Sequence, residues 1–263
     1  MLDAQNFKAR LPDTLDAASF YATDPFTIFE IEDFVDQAFY DALVADVAAR
    51  QDFDRVFTGK GDKKKFSLGG HNIHEMEDCP FKTFVTYFLS EDFFAWFTRT
   101  HLPHFEVRGT PFHVFNKLDP DTLALQESMD PDNPAHTFYN TEVHYSSIGK
   151  GGFIPPHTDS PKKRLSLVFY LPDAPLAEDM SRDLGTVFYR PADDKKGWSR
   201  IQSGLLNEKA TTKFHKNHDV AHVTKFRPNT CAGFIKSDIS WHAVIPNEHD
   251  YDRRAIVINI MEM

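Results

Sequence analysis

Apolar positions recur at helical spacing early in the chain and at strand spacing later. Val35, Phe39, Leu43 and Val47 share one helical face, which predicts a helix from Phe34 to Ala49 with Asp33 as its N-cap. A second helical stretch, Phe81 to Thr100, carries an aromatic stripe suited to packing against a sheet. Phe26 to Phe29 reads as a short strand. From about Phe105 the pattern becomes short apolar runs separated by turn residues. Strands are expected at Phe112 to Phe115, Glu142 to Ser146, Arg164 to Leu171 and Gly185 to Arg190. Four more are expected at Asp219 to Phe226, Cys231 to Lys236, Ser240 to Val244 and Arg254 to Met261. Many strands with few helices between them point to an antiparallel sandwich or barrel rather than a parallel sheet. The expected class is therefore mainly β with buttressing helices (α+β). Residues 1–263 read as one domain, with a helix-rich support in 1–104 and the β core in 105–263. Asp119 to Pro134, rich in Asp, Pro and Asn, reads as an ordered loop or a lid.

The chain is long enough, at 263 residues, to bury a large core, and 25 of those residues are Phe. A formal net charge of −10 argues against general affinity for nucleic acid. The basic run Lys60-Gly61-Asp62-Lys63-Lys64-Lys65 is a local exception and reads as a solvated loop. Cys79 and Cys231 are the only two cysteines, too few for a disulfide framework and in keeping with a reducing cytosol. Met1 to Arg10 has no basic segment leading into an apolar one, and no apolar run nears the ~18 residues of a membrane span. A soluble, cytoplasmic protein is expected.

The chemistry concentrates in two distant segments. His157 and Asp159 lie in Phe153-Ile154-Pro155-Pro156-His157-Thr158-Asp159-Ser160-Pro161, and His242 lies in Ser240-Trp241-His242-Ala243-Val244. In an extended segment His-x-Asp aims both side chains to one face, and a neighbouring strand can supply the second imidazole. Two His and one carboxylate can hold one face of an octahedral metal, leave the other face open, and suit non-haem Fe(II). A downstream arginine could then grip a carboxylate through its planar fork. Arg253 and Arg254 both qualify. Alternation puts Arg253, Ala255, Val257 and Asn259 on a small, mixed face suited to a cofactor pocket. It puts Arg254, Ile256, Ile258 and Ile260 on an apolar face suited to a core, so Arg253 is favoured. A one-residue slip would reverse the faces and choose Arg254.

From Glu142 to Met263 the chain resembles the prolyl-hydroxylase-like branch of the 2-oxoglutarate/Fe(II)-dependent dioxygenase superfamily. The resemblance rests on the His-x-Asp segment with its flanking prolines, the apolar strand Leu165 to Leu171, Leu184-Gly185-Thr186, Trp241-His242 and the strand from Arg253. It implies a double-stranded β-helix (a jelly roll) with His157, Asp159 and His242 binding iron at one mouth. It also implies that Tyr145 and Tyr170 occupy tyrosine positions of the family, where such a side chain can bond 2-oxoglutarate. The implied activity is hydroxylation of an unactivated C–H bond with Fe(II), 2-oxoglutarate and O2, releasing succinate and CO2. A carboxylate at Asp159 favours hydroxylation, since related halogenases carry a small residue there. The implied substrate is a small metabolite or a prolyl or peptidyl residue. A non-catalytic metal or 2-oxoglutarate sensor and an oxidative demethylase of a macromolecule are the alternatives.

Other histidines compete weakly. His215, His218 and His222 could share a helical face and bind zinc, but Val220, His222 and Thr224 alternate as in a strand and two lysines add repulsion. His71 and His74 near Cys79, and His101 with His104, read as loop or helix-end histidines.

Overall fold

The computed structural model describes residues 7–50, 55–57, 63–68, 76–101, 112–114, 137–192 and 208–262, with 55–57, 63–68, 112–114, 137–138 and 208–210 as backbone only. The expectations for His71, His74, His104 and the loop Asp119 to Pro134 lie outside the described residues; the basic run, expected as a loop, is strand over Lys63 to Lys65, whose backbone pairs with Ser146 to Ile148. Thirteen strands are described: β1 (Phe20–Ala22), β2 (Ile28–Ile31), β3 (Arg55–Phe57), β4 (Lys63–Leu68), β5 (Phe112–Val114), β6 (Thr137–Ile148) and β7 (Ile154–His157). They continue with β8 (Lys163–Tyr170), β9 (Val187–Pro191), β10 (His218–Val223), β11 (Cys231–Ile235), β12 (His242–Val244) and β13 (Arg253–Glu262). The helices are α1 (Gln37–Ala49), α2 (Pro80–Phe88), α3 (Glu91–His101), α4 (Glu178–Asp183) and α5 (Glu208–His215).

Two sheets form. The larger runs β1-β2-β11-β8-β13-β6-β4-β3, with β5 beside β6, and the smaller runs β10-β9-β12-β7. From β6 onward the chain crosses back and forth between them, so that β6, β8, β11 and β13 fall in one sheet and β7, β9, β10 and β12 in the other. This is the double-stranded β-helix, a jelly roll whose two sheets face each other across a core. Residues before position 104 contribute strands as well as helices: β2 pairs with β11, and β4 with β6.

Alternation sorts the larger sheet into two faces. Leu165, Leu167, Phe169, Ile256, Ile258 and Ile260 turn to the helices and are fully buried there. Phe84 of α2 stacks on Phe169 with ring centroids 5.3 Å apart, and Phe34 and Phe88 fill in around them. The aromatic stripe is thus a packing face. The opposite face carries Val168, Tyr170, Ala232 and Ala255 between the sheets. Helix α5 closes the outside of the smaller sheet, where Phe214 packs with Val187, Tyr189 and Trp241.

The two predicted helices differ from the observed ones at their ends. Helix α1 begins at Gln37, capped by Asp36, whose carboxylate accepts from Ala38 N at 2.9 Å and Phe39 N at 3.3 Å. Phe34 and Val35 stay out of the helix because their N–H groups bond residue 229: Phe34 N donates to Asn229 O and Val35 N to Asn229 Oδ1, each at 2.9 Å. Asp33 sits at φ 51° and is no cap. The long aromatic helix is two helices, because Ser90 turns the chain between them. Its hydroxyl donates to Tyr87 O at 2.6 Å and accepts from Phe93 N at 3.4 Å. No helix among the described residues is long and apolar enough to cross a membrane. Both cysteines are free thiols.

Candidate metal centre

His157 ends β7 and His242 begins β12, and the two are direct partners across the antiparallel pair. Their rings lie 4.2 Å apart. Asp159 follows two residues after His157, beyond the strand end. One ligand atom from each of His157, Asp159 and His242 falls within 4.8 Å of the others. No other group of three or more His, Cys, Asp or Glu among the described residues is gathered in this way.

Both imidazoles are aimed by the same device. His157 Nδ1 lies 3.0 Å from Pro155 O, and His242 Nδ1 lies 3.0 Å from Ser240 O. A carbonyl accepts only, so each Nδ1 carries the proton and each Nε2 presents a lone pair. Those Nε2 atoms stand 3.7 Å from the two Asp159 oxygens, His157 beside Oδ1 and His242 beside Oδ2. Burial, with His157 next to it, pushes His242 down to about 3, so it is neutral and free to ligate at physiological pH. Burial alone would raise the Asp159 carboxyl. The Lys163 ammonium leads the influences that outweigh it and hold the group well below the usual carboxylate range. Two imidazoles, that of His242 neutral, and an ionised carboxylate form the donor set that a 2-His-1-carboxylate iron site needs.

Asp159 is itself held by residues that sequence reasoning missed. Lys163 Nζ lies 2.9 Å from Oδ1, and the Ser166 hydroxyl lies 3.2 Å from Oδ2. The same hydroxyl lies 3.1 Å from Asn259 Oδ1. Packing holds His242 as well, with the Phe234 ring at 4.5 Å and Phe188 at 6.3 Å. Ser166 was visible as a lone hydroxyl within an apolar strand. Lys163 had no comparable signal.

Arg253 lies on the face turned toward the smaller sheet, as alternation predicted. It is fully enclosed by protein, with Nε donating to Leu184 O at 2.7 Å and Nη2 to Thr186 Oγ1 at 3.2 Å. Tyr170 is its neighbour, the guanidinium carbon lying 5.4 Å from the ring centroid. The Tyr170 hydroxyl is 2.8 Å from Thr186 Oγ1 and 2.5 Å from Thr224 Oγ1. No carboxylate among the described residues pairs with Arg253, an unusual state for a buried guanidinium. Arg254 lies on the other face, 3.8 Å from Asp173.

One expectation needs correction. Tyr145 faces the helices and not the metal ligands. It pairs across the sheet with Ile256, direct partners share a face, and Ile256 belongs to the helix-side core with Tyr145. Asn259 lies on the inward face with Arg253, as alternation predicted, and stands at the metal end of β13 against Ser166. The separation from Arg253 follows from strand geometry: at about 3.3 Å per residue the two side chains stand far apart along one strand.

The competing histidines disperse. His222 Nε2 lies 2.7 Å from Glu30 Oε1 and its ring stacks on Phe20 at 4.0 Å. His218 stacks on Phe214, and His215 packs edge-on against Tyr189. His101 is buried beside Trp96 and Phe97.

No protein-family model and no curated protein matches the chain. Among solved structures, the chain is similar to a Pseudomonas putida prolyl-4-hydroxylase at 12% identity, covering 94% of this chain and 96% of that one, with a TM-score of 0.49. It is similar to a prolyl hydroxylase from Trichoplax adhaerens in complex with a hypoxia inducible factor peptide fragment, at 13% identity, 89% and 83% coverage and a TM-score of 0.47. It is also similar to HygX from Streptomyces hygroscopicus, with nickel, 2-oxoglutarate and hygromycin B bound, at 10% identity, 89% and 82% coverage and a TM-score of 0.48.

Proposed function

We propose that the chain is a 2-oxoglutarate-dependent non-haem iron dioxygenase that hydroxylates an unactivated C–H bond of a small metabolite or a peptidyl residue. One observation carries the reading: a His-Asp-His donor set and a buried arginine with no carboxylate partner among the described residues share the space between the sheets. His157, Asp159 and His242 are the metal ligands, and Arg253 with Tyr170 receives the distal carboxylate of 2-oxoglutarate. Ala255, Val257 and Val168 form a small apolar floor between the two ends, which suits a short linear dicarboxylate. Fe(II) held there, with 2-oxoglutarate and O2, supplies the oxidation that turns C–H into C–OH and 2-oxoglutarate into succinate and CO2.

The chain's own residues perform the remaining tasks. Pro155 O and Ser240 O fix the tautomers of the ligand imidazoles. Lys163 and Ser166 orient Asp159. Thr186 Oγ1 accepts from the guanidinium, and Tyr170, whose hydroxyl is held by Thr186 and Thr224, lies beside it. Two free thiols fit the reducing cytoplasm as its place of action. The test is incubation with Fe(II), 2-oxoglutarate and O2, measuring succinate beside a His157→Ala control. Slow succinate formation that the variant loses is the expected result. Failure of both Fe(II) and 2-oxoglutarate to bind would overturn the reading.

A further inference from the structure

Asp159 already has a resident cation. Lys163 Nζ sits 2.9 Å from Oδ1, and the side chains of the pair are 14% and 11% exposed. The placement is local in origin. Lys163 N donates to Ser160 O at 3.0 Å, so a tight turn joins the metal-binding segment to β8 and folds the lysine back over Asp159. Asp159 is the sole described carboxylate within ion-pair distance of this ammonium. The pair is largely withdrawn from water, so the attraction is stronger than in a surface bridge and less screened by salt.

The contacted oxygen is also one that faces the imidazoles, since His157 Nε2 is 3.7 Å from Oδ1. A divalent ion and the ammonium therefore draw on the same carboxylate. Without a metal, Lys163 supplies the countercharge that a buried carboxylate requires. With a metal, two positive centres share one anion and repel. An interaction stronger in the metal-free form lowers metal affinity by its differential energy.

On the reading of His157, Asp159 and His242 as metal ligands, we infer that Lys163 is a positioning residue that holds the metal-free site together and thereby weakens divalent-metal binding. The protein keeps a formed site before loading, and the bound ion stays exchangeable.

Calorimetric titration of Mn(II) into metal-stripped wild type, Lys163→Met, Lys163→Arg and Lys163→Gln tests this, together with melting temperatures of the metal-free and Mn(II)-loaded forms. Methionine keeps the apolar stem without the charge. Lys163→Met is expected to bind Mn(II) about tenfold tighter than wild type, because both the competing attraction and the repulsion are removed. Its melting temperature is expected to fall metal-free and to return toward the wild-type value when loaded. Lys163→Arg should stay near wild type, and Lys163→Gln should follow methionine. Equal or weaker binding by Lys163→Met overturns the inference. If the methionine variant does not fold, a glutamine variant that binds like wild type overturns it too. A wild type that takes up no Mn(II) overturns the metal reading itself, which separates the two failures.

Discussion

A Cβ on Gly185 would stand 1.8 Å from the Thr224 carbonyl oxygen. That close approach serves the buried cation. It lets the chain entering β9 lie against residue 224, where Thr186 N donates to Thr224 Oγ1 and Thr224 N to Thr186 O, each at 3.0 Å. Leu184 O and Thr186 Oγ1 are thereby left facing Arg253. The obstruction is backbone and cannot swing aside. Gly185→Ala is expected to cost about 2–3 kcal/mol of stability, as overpacking does. It should also weaken 2-oxoglutarate binding more than metal binding. Urea unfolding and separate titrations of the two ligands check this; a stable variant with normal 2-oxoglutarate affinity would show that the clamp is unimportant.

Arg253 and Arg254 are adjacent in sequence and opposite in environment. Arg253→Met should lose about 2–3 kcal/mol of 2-oxoglutarate affinity, roughly a hundredfold, because a charge-assisted contact in a dry pocket is removed. Arg253→Lys should recover only part of it, since one ammonium cannot serve Leu184 O, Thr186 and a carboxylate in the planar geometry of the guanidinium. Arg254→Met loses only a 3.8 Å contact with the half-exposed Asp173 and should change 2-oxoglutarate affinity little. The Michaelis constant for 2-oxoglutarate in succinate assays separates them. A larger effect at Arg254 would reverse the assignment.

The C-terminal half was more legible than the N-terminal half, for a physical reason. The ligands His157 and Asp159 are close in sequence, and alternation along β13 assigned Arg253 to the inward face without knowledge of its neighbours. Tyr145 needed the register of β6 against β13, a long-range fact that pairs it with Ile256 and turns it away. The same holds for Lys163, which matters only because a turn folds it onto Asp159, and for Thr224, brought to Tyr170 from a different strand end. Strands β1 to β4 went mostly unnoticed because each is short and joins the sheet through distant partners such as β11 and β6. The jelly-roll order of β6 to β13 came from resemblance, as periodicity identifies strands and not the sheet each one joins.

Ser166 and Lys163 both touch Asp159, yet their removal should move metal affinity in opposite directions. The Ser166 hydroxyl is neutral and adds no repulsion to a bound ion. Its contact with Oδ2 at 3.2 Å orients the carboxylate, and Asn259 is its other partner. Ser166→Ala is therefore expected to weaken Mn(II) binding by about tenfold, in the range of lost outer contacts to metal ligands. Calorimetry on the same scale as the Lys163 variants gives the sign. Tighter binding by Ser166→Ala would mean that the hydroxyl, too, favours the metal-free site.

Acid should loosen the outer side of the smaller sheet through His218. This side chain opens β10, is buried, and stacks on Phe214 at 3.9 Å with its Nδ1 3.1 Å from Phe214 O. Burial, then repulsion from His215, lowers its affinity for protons, and the bond to Phe214 O offsets part of this. The folded pKa thus lies below the unfolded value of about 6.5. Above that pH both states are neutral and the stabilisation is complete. As the pH falls below it, the unfolded chain takes up a proton that the folded chain refuses, and stability drops until the folded pKa is passed. The loss bears on the candidate metal centre, because Phe214 and His218 pack against Trp241, the residue before His242. Denaturant unfolding of wild type and His218→Phe between about pH 7 and about pH 5 tests it, since phenylalanine keeps the stack without titrating. Wild type should lose more stability than the variant over that interval, and parallel pH profiles would exclude His218 as the source.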